Sequence, residues 1–158
     1  MTTTSEGRTG GRRQRAMSGL DVIALGIAVI ALGISIYLTV EHYDSSLTLA
    51  CPESATVNCA KVTTSRWSSI AGVPVALLGL LYFTVMVVLL AIPRDHPRLL
   101  LARVLGASAG VLMVLWLVYV ELLLVNAICL WCTAVHVLTV ALFVVVLWRW
   151  LTPASENP

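Results

Sequence analysis

The chain has 158 residues, 59% of them hydrophobic and only 11% charged, a balance too apolar for a soluble domain. What remains is one membrane domain with little room for a separate soluble one. A net charge of +2 implies no nucleic-acid partner, and the basic N-terminus reads as a topology signal beside anionic lipid.

Residues 1–17 are polar, rich in Gly, Thr and Arg, and expected to form a disordered cytoplasmic segment. A membrane domain follows over residues 18–152, with a short cytoplasmic tail at 153–158. The first apolar run, Leu20–Val40, is too long for a signal-peptide core and no A-x-A cleavage site follows it, so it is expected to be retained. From Glu41 to Gly72 the chain is polar, and this loop carries Cys51, Cys59, Lys61, Ser65, Arg66 and Trp67. Its stretch Lys61–Ile70 is expected as a short helix at the interface, anchored by Trp67. Gly72 and Pro74 mark entry into the second run, Val73–Ile92. Pro93 ends that run, and with Pro97 it brackets a tight turn.

The third run, Leu99–Val125, contains Gly106, Ser108 and Gly110, small residues that permit close helix contact. Asn126 and Ala127 link it to the fourth run, Ile128–Leu151, so these two helices must be antiparallel neighbours. Each run is about 20 residues or more, enough to cross roughly 30 Å of hydrocarbon at about 1.5 Å per residue. The expected fold is all-α and integral to the membrane, a bundle of four transmembrane helices.

Orientation follows from the basic residues. Arg8, Arg12, Arg13, Arg15, Arg94, Arg98, Arg103 and Arg149 fall on one side, and only Lys61 and Arg66 on the other. The positive-inside rule then places both termini in the cytoplasm and the Cys51–Cys59 loop outside, in a cell membrane. The outer face is the oxidising one, where disulfides persist.

The four cysteines form two pairs at that outer face. Cys129-Leu130-Trp131-Cys132 is a CxxC opening a hydrophobic helix. Two thiols at this spacing lie on one helix face and close into an exchangeable disulfide, and the N–H groups of a first turn stabilise a thiolate. The inner cysteine sits at the edge of the apolar phase, within reach of a lipid-soluble oxidant. The outer one is within reach of the loop. Cys51 and Cys59 are spaced to close a small loop, and a mobile pair there would shuttle between a soluble dithiol and the CxxC. Two static disulfides that only staple the outer face, or a zinc site, are the competing readings. A seven-residue spacer in an oxidising compartment argues against zinc.

These motifs resemble the vitamin K epoxide reductase family. The residues that carry the likeness are Cys51 and Cys59, Thr64-Ser65-Arg66-Trp67, Gly72-Val73-Pro74-Val75-Ala76-Leu77-Leu78-Gly79 and Cys129-Leu130-Trp131-Cys132. The bacterial branch fits better. The disulfide-bond formation protein B family also has four helices and two cysteine pairs, but its CxxC lies in the first outer loop. The resemblance implies a quinone, menaquinone or ubiquinone, held in the bundle under the outer loop. It implies that Cys132 reacts with the quinone, that Cys129 exchanges with Cys59, and that Cys51 meets an external thioredoxin-like partner. Ser65 matches the family's functional serine or threonine near the loop cysteine. Many bacterial members fuse a thioredoxin-like domain after a fifth helix. This chain ends before either, so a separate partner protein is expected.

Other polar residues are candidates with simpler readings beside them. His136 continues the Cys132 stripe and is placed to bond a quinone oxygen, or else a backbone carbonyl. Trp116 and Tyr119 are candidate quinone contacts, or packing and belt residues. Glu121 is expected as an interfacial anchor, with proton handling as the alternative. Asp21 and Glu41, at helix ends, read as interfacial. The expected activity is oxidation of the thioredoxin-like partner with electrons passed to quinone, in support of disulfide formation in exported proteins. The alternatives are quinone or epoxide reduction as the purpose, and a non-enzymatic scaffold.

Overall fold

The computed structural model describes residues 18–44, 50–52, 54, 56–92 and 96–152. The expectations for residues 1–17 and 153–158 lie outside the described residues. Helix α1 runs Gly19–Tyr43, α2 is a short helix Cys59–Thr63, α3 spans Val75–Ala91, α4 spans Pro97–Tyr119, and α5 spans Leu130–Leu151. A two-stranded hairpin, β1 (Ser69–Ile70) and β2 (Val73–Pro74), precedes α3, and a π-helical turn, Val120–Val125, extends α4. Three helical stretches, Gly19–Tyr43, Pro97–Val125 and Leu130–Leu151, are long and apolar enough to cross a membrane, whereas α3 has 17 residues. At about 1.5 Å per residue α3 is about 25 Å long, at the short end for a helix that crosses.

α1 begins with a capping box. The Ser18 side chain accepts from the Asp21 N–H, and the Asp21 carboxylate accepts back from the Ser18 N–H. Its buried face is a stripe of small residues, Ala24, Ala28, Ala31 and Ser35. A small-residue stripe lets neighbouring backbones approach closely, which is how helices associate where lipid removes the hydrophobic drive between them. α1 accordingly packs on both α3 and α5, and α5 packs on α4. Phe83, Met86 and Leu90 from α3, Ala107 from α4, and Leu142 and Val146 from α5 complete this core. The outer faces carry the large apolar side chains instead, among them Val29, Ile30, Leu112, Leu115, Val137 and Val144. Small inside and large outside is the pattern of a bundle whose solvent is lipid. Hydroxyls within the helices turn back on their own chain, as in Ser35 to the Ala31 carbonyl at 2.9 Å and Thr139 to that of Val135 at 2.7 Å. These two hydroxyl hydrogens are thereby kept from hydrocarbon.

The loop after α1 differs in detail from the reading of its sequence. The helix expected over Lys61–Ile70 instead starts at Cys59 and ends at Thr63, because Asn58 caps it, accepting from the Lys61 N–H at 2.8 Å. A single 3₁₀ turn, Arg66–Ser68, follows. Gly72 does not open α3. It sits with Ala71 in the two-residue turn of the β1–β2 hairpin, both at positive φ (51° and 81°). Pro74 is the N-cap of α3.

Asp21, read as interfacial from its place at a helix end, faces protein. It is buried, with Arg103 Nη1 at 3.3 Å and Arg149 Nε at 3.6 Å from its carboxylate oxygens. Arg103 also donates to the carbonyls of Leu89 (3.1 Å) and Ile92 (2.7 Å), which closes the C-terminus of α3. One carboxylate therefore ties α1, α4 and α5 together at the end of the bundle opposite the cysteines, and Arg103 adds α3. Asp21→Ala removes it from between two largely buried guanidiniums. The expected cost is about 3 kcal/mol, the lower range for breaking a buried ion pair. Thermal unfolding in detergent checks it, with a clear drop in Tm expected and no change in a variant of exposed Arg98.

Candidate functional site

The CxxC sits where α5 begins, and the local chain explains its form. α4 does not simply stop. The Glu121 carbonyl accepts from the Asn126 N–H and, at 3.2 Å, from the Ala127 N–H, which widens the last turn to π geometry. Asn126 then takes the left-handed conformation, φ 50°, which asparagine tolerates, and the chain reverses. Cys129 is the N-cap of α5. Its sulfur accepts the Cys132 N–H at 3.2 Å, so it stands at the position where first-turn N–H groups stabilise negative charge on sulfur. Cys129 is fully buried and Cys132 partly so, and both are free thiols.

The loop cysteines are joined to each other in a disulfide. They do not occupy a free loop. The segment before Cys59 is laid along the segment before Cys129 as a parallel bridge, Val57 against Ile128. The Asn58 N–H donates to the Ile128 carbonyl at 3.1 Å and the Ile128 N–H to the Thr56 carbonyl at 2.9 Å. Two backbone bonds thus bring the residues that precede Cys59 and Cys129 side by side. Cys59 is buried at 1% exposure, while Cys51 is more open. On the Cys51 side, Ala50 is held twice. Its N–H donates to the Tyr37 hydroxyl at 3.2 Å and its carbonyl accepts from Trp131 Nε1 at 3.0 Å. Tyr37 and Trp131 also meet edge to face. The freely moving shuttle expected from the sequence is, in this redox state, a docked strap. The reason is tertiary: its partners lie on α1 and α5, far away in sequence.

Beneath the strap, a cavity of about 370 Å³ opens between α1, α3, α4 and α5. Its walls are mostly apolar. Cys132, His136 and Thr139 reach it from α5 at successive turns, so one helical stripe carries a thiol, an imidazole and a hydroxyl into it. Ser65 lines it from the loop, as does Trp67, which also packs on the cluster of Val120, Val125 and Ala127. Tyr82 lines it from α3, with its hydroxyl donating to the Gly106 carbonyl at 3.2 Å. Gly110 leaves room for that ring, since an added Cβ there would lie 3.0 Å from the Thr139 methyl and against the phenol.

Of the candidates read from sequence, Cys132, His136 and Ser65 come together on the cavity. Trp116 and Tyr119 do not line it. They stack on each other with centroids 5.6 Å apart, Trp67 meets Trp116 edge-on, and both are about half exposed. Three residues apart on α4, they share a face that turns away from the one carrying Val114, Leu117 and Glu121. Glu121 is likewise not an interfacial anchor. It is buried at 6% exposure and lines the cavity with Cys132. Tyr82, Thr139 and Gly79 were missed. Thr139 was accessible in principle, since 132, 136 and 139 follow helical spacing, whereas Tyr82 had no local signal.

A bundle of apolar helices carries a disulfide and two free thiols above an apolar cavity, an arrangement that suits a membrane oxidoreductase. The model described as the vitamin K epoxide reductase family matches residues 22–147, a span from α1 to near the end of α5. The chain belongs to that family. Comparison with curated proteins finds no match.

Proposed function

We propose that this protein oxidises a thioredoxin-like dithiol protein outside the cytoplasm and passes the electrons to a membrane quinone, menaquinone or ubiquinone, so that exported proteins acquire disulfides. In this reading α1, α3, α4 with its π turn, and α5 all cross the membrane, both termini are cytoplasmic and the strap faces outward. The observation that carries it is the placement of the CxxC between two redox neighbours. Cys129 lies beside the strap through the Val57–Ile128 bridge, and Cys132 opens on the cavity. The residues fit a quinone. The cavity is apolar, it is large enough for a ring and the start of a tail, and His136 and Ser65 offer polar atoms to ring oxygens. A bound quinone would supply an acceptor for two electrons and two protons.

The chain's own residues then divide the work. Cys51, the more open sulfur, takes the attack of the partner's thiolate. Cys59, released by that attack, attacks Cys129 of the Cys129–Cys132 disulfide, and Cys132 leaves on the cavity side. Cys51, freed by the partner's second thiol, then resolves the Cys59–Cys129 disulfide, which leaves the strap oxidised and the CxxC reduced. The state seen here, strap oxidised and CxxC reduced, is the one in which the electrons have reached the inner pair. The test uses purified protein in nanodiscs, a reduced thioredoxin-like protein and a short-chain quinone. Stoichiometric quinol and partner disulfide are expected. Quinol formation without partner oxidation would overturn the proposal.

The cavity makes a second, smaller prediction. Gly110→Ala presses on the Tyr82 phenol and the Thr139 methyl, which tilts the ring into the cavity. The KM for quinone is expected to rise about tenfold, the lower end of the cost of overpacking. Gly106→Ala meets only the Met86 sulfur, at 2.9 Å on a flexible side chain, and is expected to change KM little.

A further inference from the structure

Glu121 is an acid in the wrong place for structure alone. It is 6% exposed within an apolar segment, and an ionisable group there is costly unless it is used. It lines the cavity that Cys132 enters, it faces the Cys129 backbone N–H, and it lies close enough to both thiols to interact with them electrostatically. Glu121 continues the cavity-lining face of Gly110, Val114 and Leu117 on α4 and stands where the π turn begins. Its carbonyl is the acceptor of the widened turn, and Val120, Glu121 and Val125 are the turn's buried residues. A salt-bridge role is not what the geometry offers, since no basic side chain pairs with Glu121 among the described residues. The titratable groups facing the same space are Glu41 and His42 from α1, Tyr82 from α3, and Cys132 and His136 from α5, with the sealed Cys129 beside Glu121. Lys61 approaches only the Asn126 carbonyl, at 3.5 Å.

Resting on the functional reading above, we propose that Glu121 is the base that takes the Cys132 thiol proton as the Cys129–Cys132 disulfide closes. Oxidation of this pair must release that proton next to an apolar cavity, where water is a poor acceptor. The balance is simple. Cys129 enters as thiolate and Cys132 as thiol. One S–S bond forms, two electrons go to the quinone, and the Cys132 proton passes to the Glu121 carboxylate. From there it is available to a quinone oxygen, and solvent supplies the second proton of the quinol.

The experiment compares wild type, Glu121→Gln and Glu121→Asp in nanodiscs. Glutamine keeps the shape and can still accept from the Cys129 N–H, but it cannot take a proton. Three quantities are read: the pH profile of quinone-dependent dithiol oxidation, quinone binding by tryptophan fluorescence, and the rate at which a small alkylating reagent labels Cys132 without quinone. The wild-type rate is expected to fall at low pH as the base is protonated. Glu121→Gln is expected to lose that limb and run about a hundredfold slower, the lower range for loss of a general base. Its quinone binding and its alkylation should not fall, because removing a nearby negative charge leaves thiolate formation no harder. Glu121→Asp is expected to keep the limb at an intermediate rate. A Glu121→Gln protein with the wild-type profile overturns the proposal, as does an equal loss in both variants that tracks lost quinone binding. A wild-type protein that oxidises no dithiol with quinone at any pH overturns the functional reading and this one with it.

Discussion

Cys132→Ala is expected to abolish quinone-linked oxidation of the partner, a loss on the order of a thousandfold or more, as when a covalent nucleophile is removed. Cys132 is the one CxxC sulfur that lines the cavity, while Cys129 is sealed from it at 0% exposure. No other thiol among the described residues can replace it, since Cys51 and Cys59 are bonded to each other in the strap. Alanine at this position removes one sulfur from a helix whose hydrogen bonds are otherwise complete, so the bundle should keep its Tm. The cavity also gains space, so quinone binding should persist. Steady-state quinol formation and tryptophan quenching by quinone, measured on the same preparation, separate the two effects. Turnover near the wild-type rate would remove Cys132 from the mechanism.

Cys51→Ala is expected to trap the relay half-way. Without Cys51, the Cys59 sulfur has lost its strap partner and is held beside Cys129 by the two backbone bonds of the Val57–Ile128 bridge. Exchange proceeds through mixed disulfides, and these accumulate when the thiol that would displace them is missing. Air-oxidised Cys51→Ala protein should therefore yield a Cys59–Cys129 cross-linked peptide on non-reducing mapping, in most of the molecules. Cys59 recovered as a free thiol with Cys129 bonded to Cys132 would reverse or abolish the assigned inner and outer roles. The strap should also loosen at Ala50 only slightly, because its bonds to Tyr37 and Trp131 do not involve Cys51 sulfur.

The amino-acid sequence by itself determined the elements that depend on local chemistry. Runs of apolar residues dictated the long helices to within a few residues, since a helix is the cheapest way to hide backbone polar groups in lipid. The CxxC at a helix start was legible because N-cap geometry is local, and Cys129 does cap α5. Motif order pointed to the family whose model matches residues 22–147. His136 was found because helical spacing carries the Cys132 stripe onward.

The remaining features were decided only when the helices packed. Asp21, read as interfacial, is buried because Arg103 and Arg149 come from elements remote in sequence and converge on it. Trp116 and Tyr119 were plausible cavity residues by position, but the rotation of α4 faces them away, and no local pattern encodes that rotation. Glu121 continues the α4 face of Gly110, Val114 and Leu117, and it faces the cavity because the rotation of α4 in the bundle turns that face inward. The strap's docking rests on hydrogen bonds between residues as far apart as Ala50 and Trp131. Spacing within the chain reports which residues can share a helix face, while burial and cavity lining depend on which faces of different helices meet.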